Sequence, residues 1–431
     1  MDRFSDNTYS YEEKPANTYS LENELRKTIQ RQKKTIFSLA ERNRVWKIIC
    51  AVLAVLLVVE SVLLWANSGD ERTDVPKSSQ VETQTTTSKE EIAQTPSAYE
   101  VDEDEISQML SQMTLVDKIH QMLFVTPEEL TGYESVTAAG ESTNSALDEH
   151  KVGGVIYSNT NIESSEQTEE MLGNTQDYAY TPLFLGIARD GGSIVPESSF
   201  SMPSQTIIGA YSNDEQVISD YSDSAAELTR LGFNVNFAPN TELVSAAKGA
   251  TSGSFGNDAA KLAKTVALAV NGHLKKNMCT ALKYFPTNME VERTTEQLRQ
   301  AEFEVYKAGI EAGADFVMVS HVVNGAVESE EVPYSMSRAM VTDVLKGELG
   351  FDGIVITAPL TELEFTDEFT AGDAAIACVK AGADMLLCPS DMQQVVEDIN
   401  EAVRVGDIDV SVIDESVKRI LRVKQKRGII K

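Results

Sequence analysis

Eight short apolar runs rich in β-branched residues recur along this chain: Met122–Thr126, Val152–Ser158, Leu183–Ala188, Val235–Ala238, Thr280–Phe285, Phe316–Ser320, Ile354–Thr357 and Met385–Cys388. Apolar on consecutive positions, they suit strands buried on both faces rather than an exposed antiparallel sheet. Helical periodicity fills most of the intervals, at Glu166–Tyr178, Glu215–Leu231, Asp258–Lys276, Glu296–Ala312, Arg338–Leu349, Ala371–Ala381 and Met392–Val403. A last amphipathic segment, Ser411–Lys426, closes the chain. Strands alternating with helices imply a parallel sheet, and eight of them within residues 100–431 favour an α/β fold closed as a (β/α)8 TIM-type barrel. A doubly wound open sheet is the runner-up. Neither GxGxxG nor GxxxxGK[ST] occurs, so no nucleotide site is signalled.

The first hundred residues are of another kind. Residues 1–47 read as a cytoplasmic segment, polar and disordered at first, then helix-prone and basic from Leu21 to about Lys47. Residues 48–66 are nearly all apolar (IICAVLAVLLVVESVLLW over 48–65), close to the length that crosses a bilayer. The basic flank precedes this span, so the expected orientation is N-terminus in the cytoplasm and barrel outside. About 45 residues lie ahead of the span and no clear cleavage site follows, which favours an uncleaved, single-pass anchor over a signal peptide. Residues 67–99, rich in Ser and Thr, read as a flexible linker. The formal net charge of −30 argues against nucleic acid as a partner. Four cysteines without CxxC spacing, and no His/Asp/Glu set at ligand spacing, give no reason to expect a disulfide framework, a metal or a cofactor.

In a parallel barrel the residues just after each strand form the catalytic rim. That rim would hold Ser158 and Asn159, Arg189 and Asp190, Asn240 and Glu242, Lys283 and Tyr284, His321 and Asn324, Thr357 and Ala358, and Ser390 and Asp391. The seventh run, GFDGIVITAPL over 350–360, ends on Ala358, which can neither donate, accept nor titrate.

From about Ile106 to Arg427 the chain resembles the barrel of the family 3 glycoside hydrolases, in its bacterial β-N-acetylhexosaminidase type. Carrying the resemblance, in family order, are MTLVDKIHQMLFV (113–125, similar to the opening strand), KVGGVIYSN (151–159), PLFLGIARDGG (182–192) and MPSQTIIGA (202–210). AAELTRLGFNVNFAPN (225–240), SFGND (254–258), ALKYFP (281–286), VMVSHV (317–322) and GFDGIVIT (350–357) continue it. The resemblance implies an Asp nucleophile directly after the seventh strand; this chain has Ala358. It also implies a His-containing acid/base loop after the fifth strand; here KYFPTNMEVERTTEQ (283–297) holds no His. The sugar-clamping Asp of the third-strand motif is Ala188, its Glu is Asp190 and its Arg is Ser193. Lys283 and His321 stand at family binding positions, and Glu242 where an Asp is usual.

Retaining hydrolysis needs two carboxyl-type groups about 5 Å apart, one to attack and one to move the proton, and an alanine cannot attack. The expectation is therefore a membrane-anchored pseudo-glycosidase that keeps a vestigial pocket of Asp190, Glu242, Lys283, Tyr284 and His321. Its ligand would be a cell-wall glycan such as a peptidoglycan fragment, or a protein partner. The alternative is an active β-N-acetylhexosaminidase-type enzyme with relocated carboxylates, for which Glu362, Glu364 and Glu292 (with Glu290 beside it) are the candidates.

Overall fold

The computed structural model describes residues 99–431 apart from 197, 199, 244–252, 290–292, 328–331 and 365–368. Eight strands close in sequence order into one parallel barrel: β1 (Leu123–Val125), β2 (Gly154–Tyr157), β3 (Phe184–Ile187), β4 (Val235–Asn236), β5 (Cys279–Phe285), β6 (Phe316–Val319), β7 (Ile354–Pro359) and β8 (Met385–Leu387). β1 pairs in parallel with both β2 and β8, which excludes the open sheet. Each expected strand is present, and the expected helices cover the barrel wall. The segment expected as Arg338–Leu349 is wound as a π-helix, Ala339–Glu348. Among the described residues no helix is long and apolar enough to cross a membrane. The expected anchor at 48–66, with the cytoplasmic and linker segments before Tyr99, lies outside the described residues.

Two boundaries differ from expectation. Met113–Val125, matched to an opening strand, is mostly the helix Leu115–Gln121, and only Leu123–Val125 is strand. Thr114 and Asp117 form a reciprocal capping box there, satisfying orphan N–H groups at the helix start. β7 runs on to Pro359 instead of ending at Thr357. Its register with β8 shifts between Ile356 and Pro359, and pairing resumes opposite Leu387. Thr357 bridges the irregularity by accepting from Leu387 N at 3.1 Å.

The barrel interior is filled by four phenyl rings, Phe124, Phe184, Phe237 and Phe316. Phe124 meets Phe237 edge-on at 5.1 Å and Phe184 meets Phe316 edge-on at 5.1 Å, the arrangement that ring quadrupoles favour. Glycines make the room. A Cβ on Gly154 or on Gly186 would come within 2.8 Å of the Phe124 ring, and one on Gly186 also within 2.8 Å of Phe237. Large residues on some strands and glycine on their neighbours thus fit the closed cylinder.

Below this layer lies the floor, at the N-terminal ends of the strands. Asp315, leading into β6, is fully buried and held by Arg427 through contacts of 2.8–3.0 Å. Asp384, leading into β8, takes Lys346 at 2.9 Å, Arg419 at 3.2 Å and the Val355 N–H at 2.9 Å. The two aspartates fasten the closing helix Val410–Lys426 and the turn after it across the bottom. Chain entry is here too: Tyr99 N–H donates to Lys426 O at 3.1 Å, and its ring packs beside Gly428.

Overpacking the phenyl layer should be felt at once. Gly186→Ala is expected to lower unfolding free energy by about 1–3 kcal/mol, whereas Gly173→Ala, inside the helix Ser165–Tyr178 with open space around it, should not lower it. Denaturant titration of both variants checks this; equal midpoints would contradict the packing account.

Candidate functional site

The rim is assembled from strand ends that short polar contacts hold in place. Asn236, fully buried in β4, accepts from Arg189 N at 2.9 Å and donates to Arg189 O at 3.1 Å, fixing the residue before Asp190. Its amide also donates to His273 Nε2 at 3.0 Å, while His273 Nδ1 donates to Ala269 O at 3.1 Å. Across the rim, Thr241 N–H and hydroxyl both reach Lys283 O, at 2.6 and 3.1 Å. Lys283 pairs with Met318 and Phe285 with Val319, so Tyr284 is the extra residue of a bulge in β5.

These supports bring Asp190 and Lys283 together. Lys283, 5% exposed, places its ammonium 2.8 Å from Asp190 Oδ2 and 5.7 Å from the centre of the Tyr284 ring. Asp190 Oδ1 is buried without a hydrogen-bond partner. Burial raises the Tyr284 phenol. The Lys283 charge opposes this, while Asp190, Glu362 and Glu242, all within electrostatic reach of the ring, add to it. Asp190, Glu242, Lys283 and Glu362, all singled out from the sequence, thus lie within electrostatic reach of Tyr284.

Glu242 is present but occupied. Its two carboxylate oxygens accept from Asn288 N at 2.5 Å and Thr287 Oγ1 at 3.3 Å. Burial raises its carboxyl, and those two donors hold it partly back. Glu242 therefore works as a fastening for the loop after β5. Arg293, further along that loop, is ion-paired with the buried Glu302, and Asn324 Nδ2 donates to Arg293 O at 2.8 Å. Ser320 Oγ donates to Thr287 O at 2.8 Å. The loop that the family resemblance assigns to acid/base work is stitched down at both ends.

His321 has both ring nitrogens committed. Nε2 faces two carbonyls, Ala358 O at 3.0 Å and Pro359 O at 3.2 Å, so it must carry the proton, and Nδ1 then accepts from Ser335 Oγ at 2.7 Å. Burial pushes the imidazole down to about 4, so the ring is neutral at pH 7. It clamps the end of β7 and has no nitrogen left for a sugar hydroxyl in this arrangement.

Ala358 is 1% exposed, packed in the core with Leu360 and Leu363. Of the fallback carboxylates, Glu362 lies on the exposed side of the short helix Thr361–Glu364, and partial burial raises its carboxyl. Glu364 ends that helix; Glu290 and Glu292 lie outside the described residues. Among other rim residues, Asp391 caps the helix Met392–Val405, and Asn159 Oδ1 accepts from Arg189 Nη2 at 2.9 Å. Clefts of about 900 and 540 Å³ open on the floor beside Gly428, away from this rim. Among the described residues no group of three or more His, Cys, Asp or Glu side chains is arranged to hold a metal ion.

Sequence reasoning missed Asn236, Thr287, Arg293 and Ser335. Asn236 had a usable signal, since an asparagine inside a strand is disfavoured unless its amide does something specific. The others had none.

Replacing the clamp tests its role. His321→Leu should cost about 1–3 kcal/mol, because two carbonyls and a hydroxyl lose their partner. His120, His273 and His321 are each pushed down to about 4, burial being the first cause. An unfolded imidazole takes its proton near 6.5, so between pH 6.5 and 4 the unfolded chain binds more protons. Stability therefore falls with falling pH, by about 1.4 kcal/mol per unit for each ring. Thermal unfolding from pH 7 to 4 should show this slope, reduced by one ring's share in His321→Leu; a flat profile contradicts it.

The matching family description is the glycosyl hydrolase family 3 N-terminal domain, over residues 114–423. A beta-hexosaminidase of Stenotrophomonas maltophilia is 28% identical over 263 residues, covering 56% of this chain and 77% of that protein. The solved family 3 beta-N-acetylglucosaminidase of a Paenibacillus species is 27% identical with a TM-score of 0.68, covering 74% of this chain and 63% of that one. The beta-N-acetylhexosaminidase structure from Beutenbergia cavernae, 23% identical with a TM-score of 0.63 and covering 72% and 98%, shares the fold. This chain belongs to glycoside hydrolase family 3, with a barrel of the β-N-acetylhexosaminidase type.

Proposed function

We propose that the barrel is a non-hydrolytic glycan-binding member of its family, held outside the cell membrane by residues 48–66, whose ligand is an N-acetylhexosamine-containing glycan such as a peptidoglycan fragment. The observation that carries this is Ala358. At the end of β7 the chain offers a methyl group, 1% exposed, and a carbonyl already bonded to His321. Without a carboxylate there, no covalent glycosyl intermediate can form by the family's route. The remaining polar groups are mutually engaged, Asp190 with Lys283 and Glu242 with the β5 loop. Such a set can still exchange hydrogen bonds with sugar hydroxyls, and Asp190 Oδ1, buried without a partner, is an acceptor for which the protein itself supplies no donor. The amino-sugar class follows from the names of the relatives, beta-hexosaminidase and beta-N-acetylglucosaminidase.

A second reading has one observation behind it. Glu362 is an exposed carboxylate with a raised affinity for protons, within electrostatic reach of Tyr284. It could serve as a displaced acid in a working hydrolase.

The full-length chain in detergent should not turn over a chromogenic N-acetylglucosaminide. It should gain thermal stability with N-acetylglucosamine oligomers, as a ligand of the native state must give, and Lys283→Met should remove that gain. Ala358→Asp should confer no turnover and should destabilise by about 3 kcal/mol or more, because the new charge is buried without a partner. Turnover abolished by Glu362→Gln would establish the second reading. A stabilising response to none of the oligomers would point to a protein partner.

A further inference from the structure

The basic side chains of the closing helix and its end nearly all find carboxylates. Lys418 and Arg422 meet Glu103, Arg419 meets Asp384, and Lys426 and Arg427 meet Asp315. Lys424 is the exception. It points inward, is 0% exposed, and its ammonium nitrogen has two neighbours of note: Gln121 Oε1 at 3.0 Å and the face of Phe184, 5.2 Å from the ring centre. Gln121 is itself fixed, donating to Lys151 O at 2.6 Å and Val152 O at 3.2 Å, so it cannot turn to offer more. Phe184 belongs to the phenyl layer of the barrel.

An ammonium has three N–H groups, and this site supplies one oxygen and one ring face. Neighbouring charges do not help. On the helix Glu103–Gln112, Glu103 is taken by Arg422 and Glu105 by Gln425. On Leu115–Gln121, Asp117 pairs with Lys151, Lys118 pairs with Asp414, and His120 is neutral and faces His150. Asp315 and Asp384, beside β6 and β8, are held by their own cations. Burial alone acts on Lys424, pushing it down to about 7.

We propose that Lys424 is a proton-linked latch: the closing helix seats fully against the barrel floor when this amine is uncharged, so folding releases a proton at neutral pH. The unfolded lysine keeps its proton to about 10.4. From pH 7 upward the unfolded chain therefore binds more protons and stability rises with pH, the opposite side of neutrality from the histidine window. Buried Cys279 and Cys378 and half-buried Cys388, whose thiols burial pushes up, work against this only as their unfolded forms ionise, toward pH 8.5 and above.

The test is the folding equilibrium constant of the full-length chain at pH 7 and pH 8, for wild type and Lys424→Met, which keeps the stem and removes the amine. Wild type should gain about fivefold more across that unit than the variant does, since cysteine and histidine contributions cancel in the comparison. Equal pH responses would overturn the latch. Should Lys424→Met not fold, calorimetric unfolding of wild type near pH 7.5 in buffers of different ionisation enthalpy should register uptake of about one proton; no uptake would overturn it equally.

Discussion

The closed barrel depends on one steric arrangement, the Phe124 ring lying where β2 and β3 carry glycine. A methyl group on Gly154 or Gly186 would meet that ring at 2.8 Å. With those positions empty, Phe124, Phe184, Phe237 and Phe316 fill the cylinder from alternate sides, and eight short strands can wrap around them. The buried ion pairs of Asp315, Asp384 and Asp190 lie at the two ends. At the floor the buried aspartates Asp315 and Asp384 meet arginines and lysines from the last helix and its neighbours. At the rim a smaller set of charges faces inward.

The two ends use their charges differently. Floor carboxylates fasten helices, and rim carboxylates fasten loops or neutralise one another. Glu242 holds the β5 loop, Lys283 holds Asp190, and His321 holds the end of β7. Catalytic rims of this architecture place their reactive groups on strand ends. Among the described residues this rim commits much of its polar surface to its own structure, while Asp190 Oδ1 lacks a partner and Glu362 is exposed.

Much of the fold was legible because a strand buried on both faces must be apolar at every position, and eight such runs spaced by helices have few arrangements. The start of the barrel was less so: the apolar run from Met122 locates the strand, but the family match of 113–125 to an opening strand hides the helix Leu115–Gln121, which the Thr114–Asp117 capping box marks. Of the site, the identities Asp190, Lys283 and Ala358 were legible, since strand ends locate the rim. What those residues do was not. His321 reads as a ligand until Ser335, 14 residues on, and Ala358 O, 37 residues on, are seen to take both nitrogens. Partners so distant in sequence leave no local pattern.

The chain enters the barrel at Tyr99, bonded to Lys426 and packed on Gly428 at the floor. Any pull on the preceding residues is therefore borne by the C-terminal end of the closing helix and by the Arg427–Asp315 ion pair. The point of chain entry and the polar rim thus lie at opposite ends of the cylinder.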